Sequence, residues 1–243
     1  IDYANGSYGT DIGITKYDTT GTTRIYSTYL GGTKDELPHS MIVNNMNELF
    51  IFGTTASDDF PVTVNAFQTT FKGGSGFSPN GLGVSFPNGS DIFVSRLNAS
   101  GGNLLASTYI GGSGNDGLNT SQKLKKNYAD EVRGEIDIDK NNNIYLATCT
   151  YSADFPNTNS LQQNNNGDQE GCIVKMDNQL STIIWSSYLG GTKDDAIYSL
   201  ALDKNDNVFV TGGTTSDDFP ITTNAYQNSY LDSIRSDAFV THI

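Results

Sequence analysis

The residues with the most evident chemistry in this sequence are aspartates that recur in short loops. They stand in SDDFP at 57–61, in SADFP at 152–156 and again in SDDFP at 216–220. The candidate ligand-binding carboxylates are Asp58, Asp59, Asp154, Asp194, Asp195, Asp217 and Asp218. Ca²⁺ binds six to eight oxygen ligands, which makes Asp58, Asp59, Asp217 and Asp218 candidate calcium ligands. Because aspartate occurs in every copy of the phrase, an architectural role as a turn cap is the favoured interpretation.

Carboxylate pairs can also hydrolyse glycosides. That chemistry needs one acid with a raised pKa, and no acid in the sequence stands apart from the repeated phrases in an apolar segment. His39 and His242 are the only histidines, and the G-x-S-x-G turn of a serine hydrolase is absent. The sequence therefore favours a protein that is not an enzyme. The alternative is a carbohydrate-active enzyme, a glycoside hydrolase or lyase, that uses the loop carboxylates.

Net charge and apolar content exclude some classes of binding partner. The chain has 243 residues and a formal net charge of −13. Such a surface repels phosphate backbones, so no nucleic-acid partner is expected. No segment approaches the ~20 apolar residues of a membrane-spanning helix, so no membrane span is expected. The opening Ile1-Asp2-Tyr3 is expected to be mid-domain sequence rather than a signal peptide.

Three near-copies of one phrase reveal the repeat that must position these residues. STYLGG, STYIGG and SSYLGG place Tyr29, Tyr109 and Tyr188 at intervals of 80 and 79 residues. Between them, short runs alternate apolar and polar residues, which is the period of a β-strand. Each unit is predicted to hold four strands, termed a, b, c and d. The a–b connections contain D-x-N-x-N at 139–143 and 203–207, where a hairpin turn is favoured over an EF-hand loop because the Gly and Glu of that loop are missing.

Four-stranded units in series indicate the blades of a β-propeller, because only neighbouring blades can cover the two apolar faces of each blade. We expect an all-β fold with one propeller region over 1–243. Its predicted parts are a partial blade at 1–32 (strands c and d), a blade at 33–112, a blade with an inserted loop at 113–191, and a partial blade at 192–243 (strands a to c). The chain is expected to be an incomplete arc of a larger propeller.

The only two cysteines, Cys149 and Cys172, fall on predicted strands b and c of one blade. Neighbouring strands can carry a disulfide where their registers match, and an exported protein would permit one. A Cys149–Cys172 disulfide is one prediction, and two buried thiols are the alternative.

Taken together, the repeated phrases resemble the SBBP repeat, a family named for a seven-bladed β-propeller. The resemblance rests on STYLGG, D-x-x-[ND]-N-[IV]-[YF], S-x-DFP-x-T-x-N-A-[FY]-Q and D-[AI]-FV, and it covers almost the whole chain. It implies an extracellular or cell-surface bacterial protein, often with adhesion-type domains and, in gliding bacteria, exported by the type IX system. It supplies no catalytic residues and no cofactor. The chain departs from the family in two enlarged loops, 72–90 and 114–130.

Loop lengths predict where a partner binds. The a–b and c–d turns are short, whereas the b–c segments at 57–90, 152–170 and 216–236 are long and lie at the opposite end of the blades. Variable loops on a rigid scaffold commonly carry binding sites. We therefore expect a protein or polysaccharide to bind at this long-loop face, besides contacts with other domains of a longer parent chain. The alternative is a structural spacer within a larger secreted complex.

Overall fold

The computed structural model describes residues 9–79, 83–127, 130–230 and 235–243. Its regular structure in these ranges consists of β-strands and one 3-10 turn, Asp130–Val132. The strands are β1 (Ile12–Tyr17), β2 (Arg24–Leu30), β3 (Glu36–Val43), β4 (Leu49–Thr55), β5 (Asp91–Leu97), β6 (Leu104–Ile110), β7 (Glu135–Ile138), β8 (Ile144–Thr150), β9 (Glu170–Met176), β10 (Ile183–Leu189), β11 (Asp195–Leu202), β12 (Val208–Thr214) and β13 (Asp237–His242). No helix in the described ranges is long and apolar enough to cross a membrane.

The strands form four antiparallel sheets in which neighbours along the chain are neighbours in space. The sheets are β1–β2, β3–β4–β5–β6, β7–β8–β9–β10 and β11–β12–β13. Each sheet is thus a meander. Successive residues of a strand point to opposite faces of the sheet, so each strand contributes side chains to both faces. The predicted all-β, propeller-like fold is confirmed.

Asx turns close the hairpins of these meanders. Asp139 Oδ1 accepts hydrogen bonds from the backbone N–H groups of Asn141 (2.8 Å) and Asn143 (2.9 Å). Asn142 has a positive φ of 62°, a left-handed conformation that asparagine tolerates. The turn that begins at Asp203 repeats these bonds between β11 and β12. The D-x-N-x-N phrases are therefore hairpin turns, and their aspartates are occupied by backbone donors.

Consecutive sheets are held together by apolar cores that lie between them. Along β4, Phe50 and Phe52 belong to a core shared with the β7–β10 sheet, while Leu49 and Ile51 belong to a core shared with β1–β2. A third core joins the β7–β10 sheet to β11–β13 through Tyr145, Ala147, Ile173, Ile197, Val208, Val210 and Phe239. The middle sheets are therefore covered on both faces, as expected for stacked blades.

The two cysteines are free and buried. In the β8–β9 ladder, Cys172 pairs with Thr148, and Cys149 pairs with Gly171. Paired residues share a face of the sheet and successive residues alternate, so Cys149 and Cys172 point to opposite faces. Accordingly, Cys172 lies in the core between the two middle sheets and Cys149 lies in a small cluster with Ala196. The predicted disulfide is contradicted by a register offset of one residue, and two buried thiols describe the structure.

Removing an aromatic ring between sheets should destabilise the chain strongly. Phe52 is fully buried, so Phe52→Ala should lower the free energy of unfolding by about 3–5 kcal/mol. Tyr226 is fully exposed, so the matched change Tyr226→Ala should stay within about 0.5 kcal/mol. Urea unfolding followed by far-UV circular dichroism measures both. Equal effects of the two changes would contradict the stacked-sheet core.

Both thiols should be unreactive in the folded chain. Burial raises the pKa of Cys149 to about 12 and that of Cys172 well above its usual value, so the reactive thiolate is scarce. An Ellman titration without reductant should count no thiols in the native protein and two after denaturation. A count of zero thiols after denaturation would show that Cys149 and Cys172 form a disulfide, contrary to the structure.

Candidate functional site

The aspartate of each S-x-D-F-P phrase binds the connection that leads into its own sheet. Asp59 Oδ1 accepts hydrogen bonds from the backbone N–H (2.8 Å) and the hydroxyl (3.0 Å) of Thr33. The same two bonds join Asp154 to Ser113 and Asp218 to Thr192. Three of the predicted ligand-binding carboxylates therefore cap the Gly-Gly turns, in agreement with the architectural interpretation.

A buried acid lies under each of these caps. We call the segments 31–36, 111–116 and 190–195 the junctions, because each connects one sheet to the next. In the first junction, Glu36 accepts hydrogen bonds from Ser57 Oγ (2.6 Å), Thr55 Oγ1 (2.7 Å) and the backbone N–H of Gly32 (3.1 Å). Asp116 and Asp195 hold the equivalent positions in the other two junctions and bind the equivalent Gly and Ser donors. All three acids are at most 1% exposed.

A second buried acid opens the third strand of the full sheets. Asp91, at the start of β5, accepts hydrogen bonds from Lys72 N–H (2.8 Å), Gly73 N–H (2.9 Å) and Gln68 Nε2 (3.0 Å). Glu170, at the start of β9, is its counterpart and binds the loop before β9 in the same way. These residues were missed as a group in the sequence. The signal that could have found them is the acid that opens each D-[AI]-FV strand, together with the glutamine that ends the S-x-DFP phrase.

The two kinds of buried acid come together beside the first glycine of the second and third junctions. A Cβ on Gly111 would lie 2.7 Å from Asp116 Oδ2 and 2.7 Å from Asp91 Oδ1. Glycine is therefore required because the carboxylates of neighbouring sheets occupy the space that a side chain would fill. Burial raises the pKa of Asp91 to about 6 and that of Asp116 well above its usual value, while hydrogen bonds oppose both shifts.

The junction tyrosines complete this network. Tyr109 Oη donates to the carbonyl of Ser57 (2.8 Å), and Tyr188 Oη donates to the carbonyl of Ser152 (2.7 Å). Both rings are buried, and the ring of Tyr109 lies 6.1 Å from that of Phe60. The recurring phrases thus converge on a hydrogen-bonded node that includes a tyrosine at Ser57 and at Ser152, whereas Tyr29, the first copy, is exposed.

The remaining predicted carboxylates have separate surroundings. Asp58 is exposed, Asp217 forms an ion pair with Lys193 Nζ (2.9 Å), and Asp194 accepts from Ser121 Oγ (2.6 Å). The β7–β10 sheet separates the loop of 58–59 from that of 217–218, so the four candidate calcium ligands are not brought together. The described residues contain no group of three or more His, Cys, Asp or Glu side chains suited to a metal. Calcium binding stays a prediction.

The long loops also cover the outer edges of the sheets. Thr63 N–H donates to the carbonyl of Ser107 on β6 (3.0 Å), and Ser186 on β10 donates to the carbonyl of Thr158 (2.8 Å). An uncovered edge strand exposes backbone donors and acceptors to foreign chains, so these contacts protect the meander. Part of each long loop is therefore structural rather than free for binding.

The loop between β8 and β9 leaves one polar cleft of about 490 Å³. Its lining is Asn157, Asn159, Ser160, Gln163 and Asn164. Asn157 Nδ2 is held by the carbonyls of Gln162 (3.2 Å) and Gln163 (2.6 Å), and its buried Oδ1 has no hydrogen-bond partner. Amide and hydroxyl side chains donate and accept without carrying charge, so the cleft is suited to an uncharged, hydroxyl-rich ligand. We call it the amide cleft.

Comparison with known proteins supports the propeller assignment. Residues 184–220 match the SBBP family model, which is described as a beta-propeller repeat. The match runs from β10 through the third junction, β11 and β12 into the SDDFP phrase. It confirms the suspected family resemblance on these residues. No curated protein matches the chain.

Neighbouring aspartates of one loop should differ sharply in their effect on stability. Asp59→Ala removes the acceptor of two Thr33 donors and should lower the free energy of unfolding by about 1 kcal/mol. Asp58→Ala, one residue away and exposed, should change it by less than about 0.5 kcal/mol. Chemical unfolding measures both variants. If Asp58→Ala costs as much as Asp59→Ala, the turn-cap role is wrong.

Proposed function

We propose that this chain is a non-catalytic binding module of a secreted or cell-surface protein, and that it binds a neutral polysaccharide at the amide cleft. The observation that carries the proposal is the lining of that cleft, in which five uncharged polar side chains line an open space of about 490 Å³. Sugar hydroxyl groups both donate and accept hydrogen bonds, as do these side chains. The cleft belongs to a long b–c loop, where binding was expected from the sequence.

Two features support a neutral sugar as the ligand. The net charge of −13 disfavours polyanionic ligands. Leu161, within the same loop, is 75% exposed and offers an apolar contact to the C–H face of a sugar ring.

The position of the acids supports a binding module over a hydrolase. A general acid must reach the glycosidic oxygen. Asp91, Asp116, Glu170 and Asp195 have raised pKa values, but each is fully buried, either in a junction or at the start of the third strand of a sheet. The extracellular or surface location, the type IX export route and a role in adhesion or gliding belong to the same proposal, and they rest on the family resemblance alone.

Two cleft residues allow a test that spares the fold. The side chains of Gln163 and Asn164 are exposed, and neither makes a hydrogen bond within the described part of the chain. The double variant Gln163→Ala/Asn164→Ala should weaken binding to the best ligand on a panel of neutral polysaccharides by about tenfold or more, the cost of about two hydrogen bonds. Affinity electrophoresis or calorimetry with the 243-residue chain measures it.

The matched control is Asn205→Ala, which removes an exposed amide from the β11–β12 turn and should leave binding unchanged. Equal binding by the double variant and the wild type would place the site elsewhere. Failure of the wild type to bind any member of the panel would favour the spacer role, and turnover of a polysaccharide would favour the enzyme.

A further inference from the structure

The third junction contains a carboxyl pair that differs from its counterparts. Glu170 opens β9, Asp195 opens β11 in the next sheet, and both are fully buried. A Cβ on Gly190 would lie 2.5 Å from Asp195 Oδ2 and closer still to Glu170 Oε2. The two oxygens therefore lie close together in the space that a side chain at residue 190 would fill, and each belongs to a different sheet.

Hydrogen bonds satisfy only part of this pair. Glu170 Oε1 accepts from Asn166 N–H (2.9 Å), Gly167 N–H (3.1 Å) and Gln162 Nε2 (3.3 Å). Asp195 Oδ2 accepts from Gly191 N–H (2.7 Å) and Ser216 Oγ (2.8 Å). Glu170 Oε2 is buried without a partner, whereas the hydroxyl of Thr214 lies close enough to Asp195 to lower the pKa of that carboxyl group. A buried polar atom without a partner is costly, so Glu170 Oε2 needs an explanation.

The equivalent acids provide an internal comparison. In Glu36, one oxygen accepts from Thr55 and Ser57, and the other accepts from Gly32 N–H. In Asp116, one oxygen accepts from Thr150, and the other accepts from Gly112 and Ser152. The unpartnered carboxyl oxygen, Glu170 Oε2, thus lies at the junction in which glutamate replaces aspartate at the start of the third strand. The extra methylene extends this carboxyl group towards its neighbour.

No cationic side chain neutralises the pair. The other titratable groups nearby are Asp168 in the loop before β9, Lys193 and Asp194 in the junction, and Asp217 and Asp218 after β12. Lys193 is the cation among these, and its ammonium pairs with Asp217. Among the described residues, no Lys or Arg side chain forms an ion pair with Glu170 or Asp195. Two buried, adjacent and unpaired negative charges would be strongly unfavourable.

We propose that Glu170 carries a proton on Oε2 in the folded chain and donates it to the Asp195 carboxylate, so that a shared proton joins the two sheets at this junction. The proton gives Oε2 a partner and reduces the charge of the pair from two to one. The donors on Oε1 remain in place, because a protonated carboxyl group still accepts on its other oxygen.

The shared proton makes this junction sensitive to pH. Burial, reinforced by the charge of Asp195, raises the pKa of Glu170 to about 8, and burial raises the pKa of Asp195 to about 6. An acid whose pKa is higher in the folded chain stabilises that state most at low pH, below the pKa of the unfolded chain. Its contribution falls as pH rises and is lost above the folded-state pKa. The seam between β7–β10 and β11–β13 should therefore weaken in mildly alkaline solution.

The test is a carboxyl titration of the full chain labelled with ¹³C at glutamate. The sequence contains five glutamates, and the Glu170 resonance is assigned through its own backbone amide, so its midpoint is measured in the folded wild type without dependence on any variant. We expect its midpoint near pH 8, several units above an ordinary glutamate. Asp195→Asn removes the neighbouring charge and should lower that midpoint by at least about one unit. Asp91→Asn, at the second junction, is the matched control and should leave it unchanged.

A Glu170 midpoint near the ordinary value of about 4.5, or one that Asp195→Asn does not move, would overturn the proposal. Unfolding in urea is the second measurement. The midpoint concentration should fall from about pH 5 to about pH 9 in the wild type, and Glu170→Gln should reduce that fall. If Glu170 is ionised at neutral pH and Ca²⁺ raises the unfolding midpoint of the wild type but not of Glu170→Gln, a cation holds the pair and the proton does not.

Discussion

A buried carboxylate at each junction is the interaction on which the rest of the structure depends. Glu36 shows how, because it binds the Gly-Gly turn that enters the sheet and also the Thr and Ser that leave the second strand. A single acid thus joins its own Gly-Gly turn to a segment that lies 19–21 residues further along the chain. Charge-assisted hydrogen bonds are stronger than neutral ones and need a fixed geometry. The spacing of Thr, Ser, Asp and Gly in the repeated phrases follows from that geometry.

Apolar packing and this polar network have different tasks. The cores between sheets supply most of the favourable burial, but burial is not directional and does not fix one angle between sheets. The hydrogen bonds at the junctions fix the angle between one sheet and the next. Tyr109 combines both, since its ring lies in the core and its hydroxyl binds the carbonyl of Ser57. A chain that repeats this node can therefore add sheets in a constant arrangement.

The network also decides where binding can occur. The aspartates of the S-x-D-F-P phrases are occupied by backbone and hydroxyl donors, and stretches of the long loops are bound to the outer strands. The side chains that line the cleft of the β8–β9 loop are uncharged amides and one serine. This distribution underlies our proposal of a neutral hydroxyl-rich ligand. The buried acids keep a structural role. At the third junction, the proposed shared proton makes the stability of the contact between two sheets depend on pH.

The sequence by itself determined the repeat, the strand order, the Asx hairpins and the stacking of sheets. Each follows from local period or local turn chemistry, which a single segment can express. It also indicated that aspartate before Phe-Pro caps a turn. Only the tertiary structure decided the register that turns Cys149 and Cys172 to opposite faces, the convergence of Glu170 and Asp195 beside Gly190, and the amide cleft. These three features depend on one-residue offsets between strands and on contacts between sheets. The sequence of a single segment does not specify either of them.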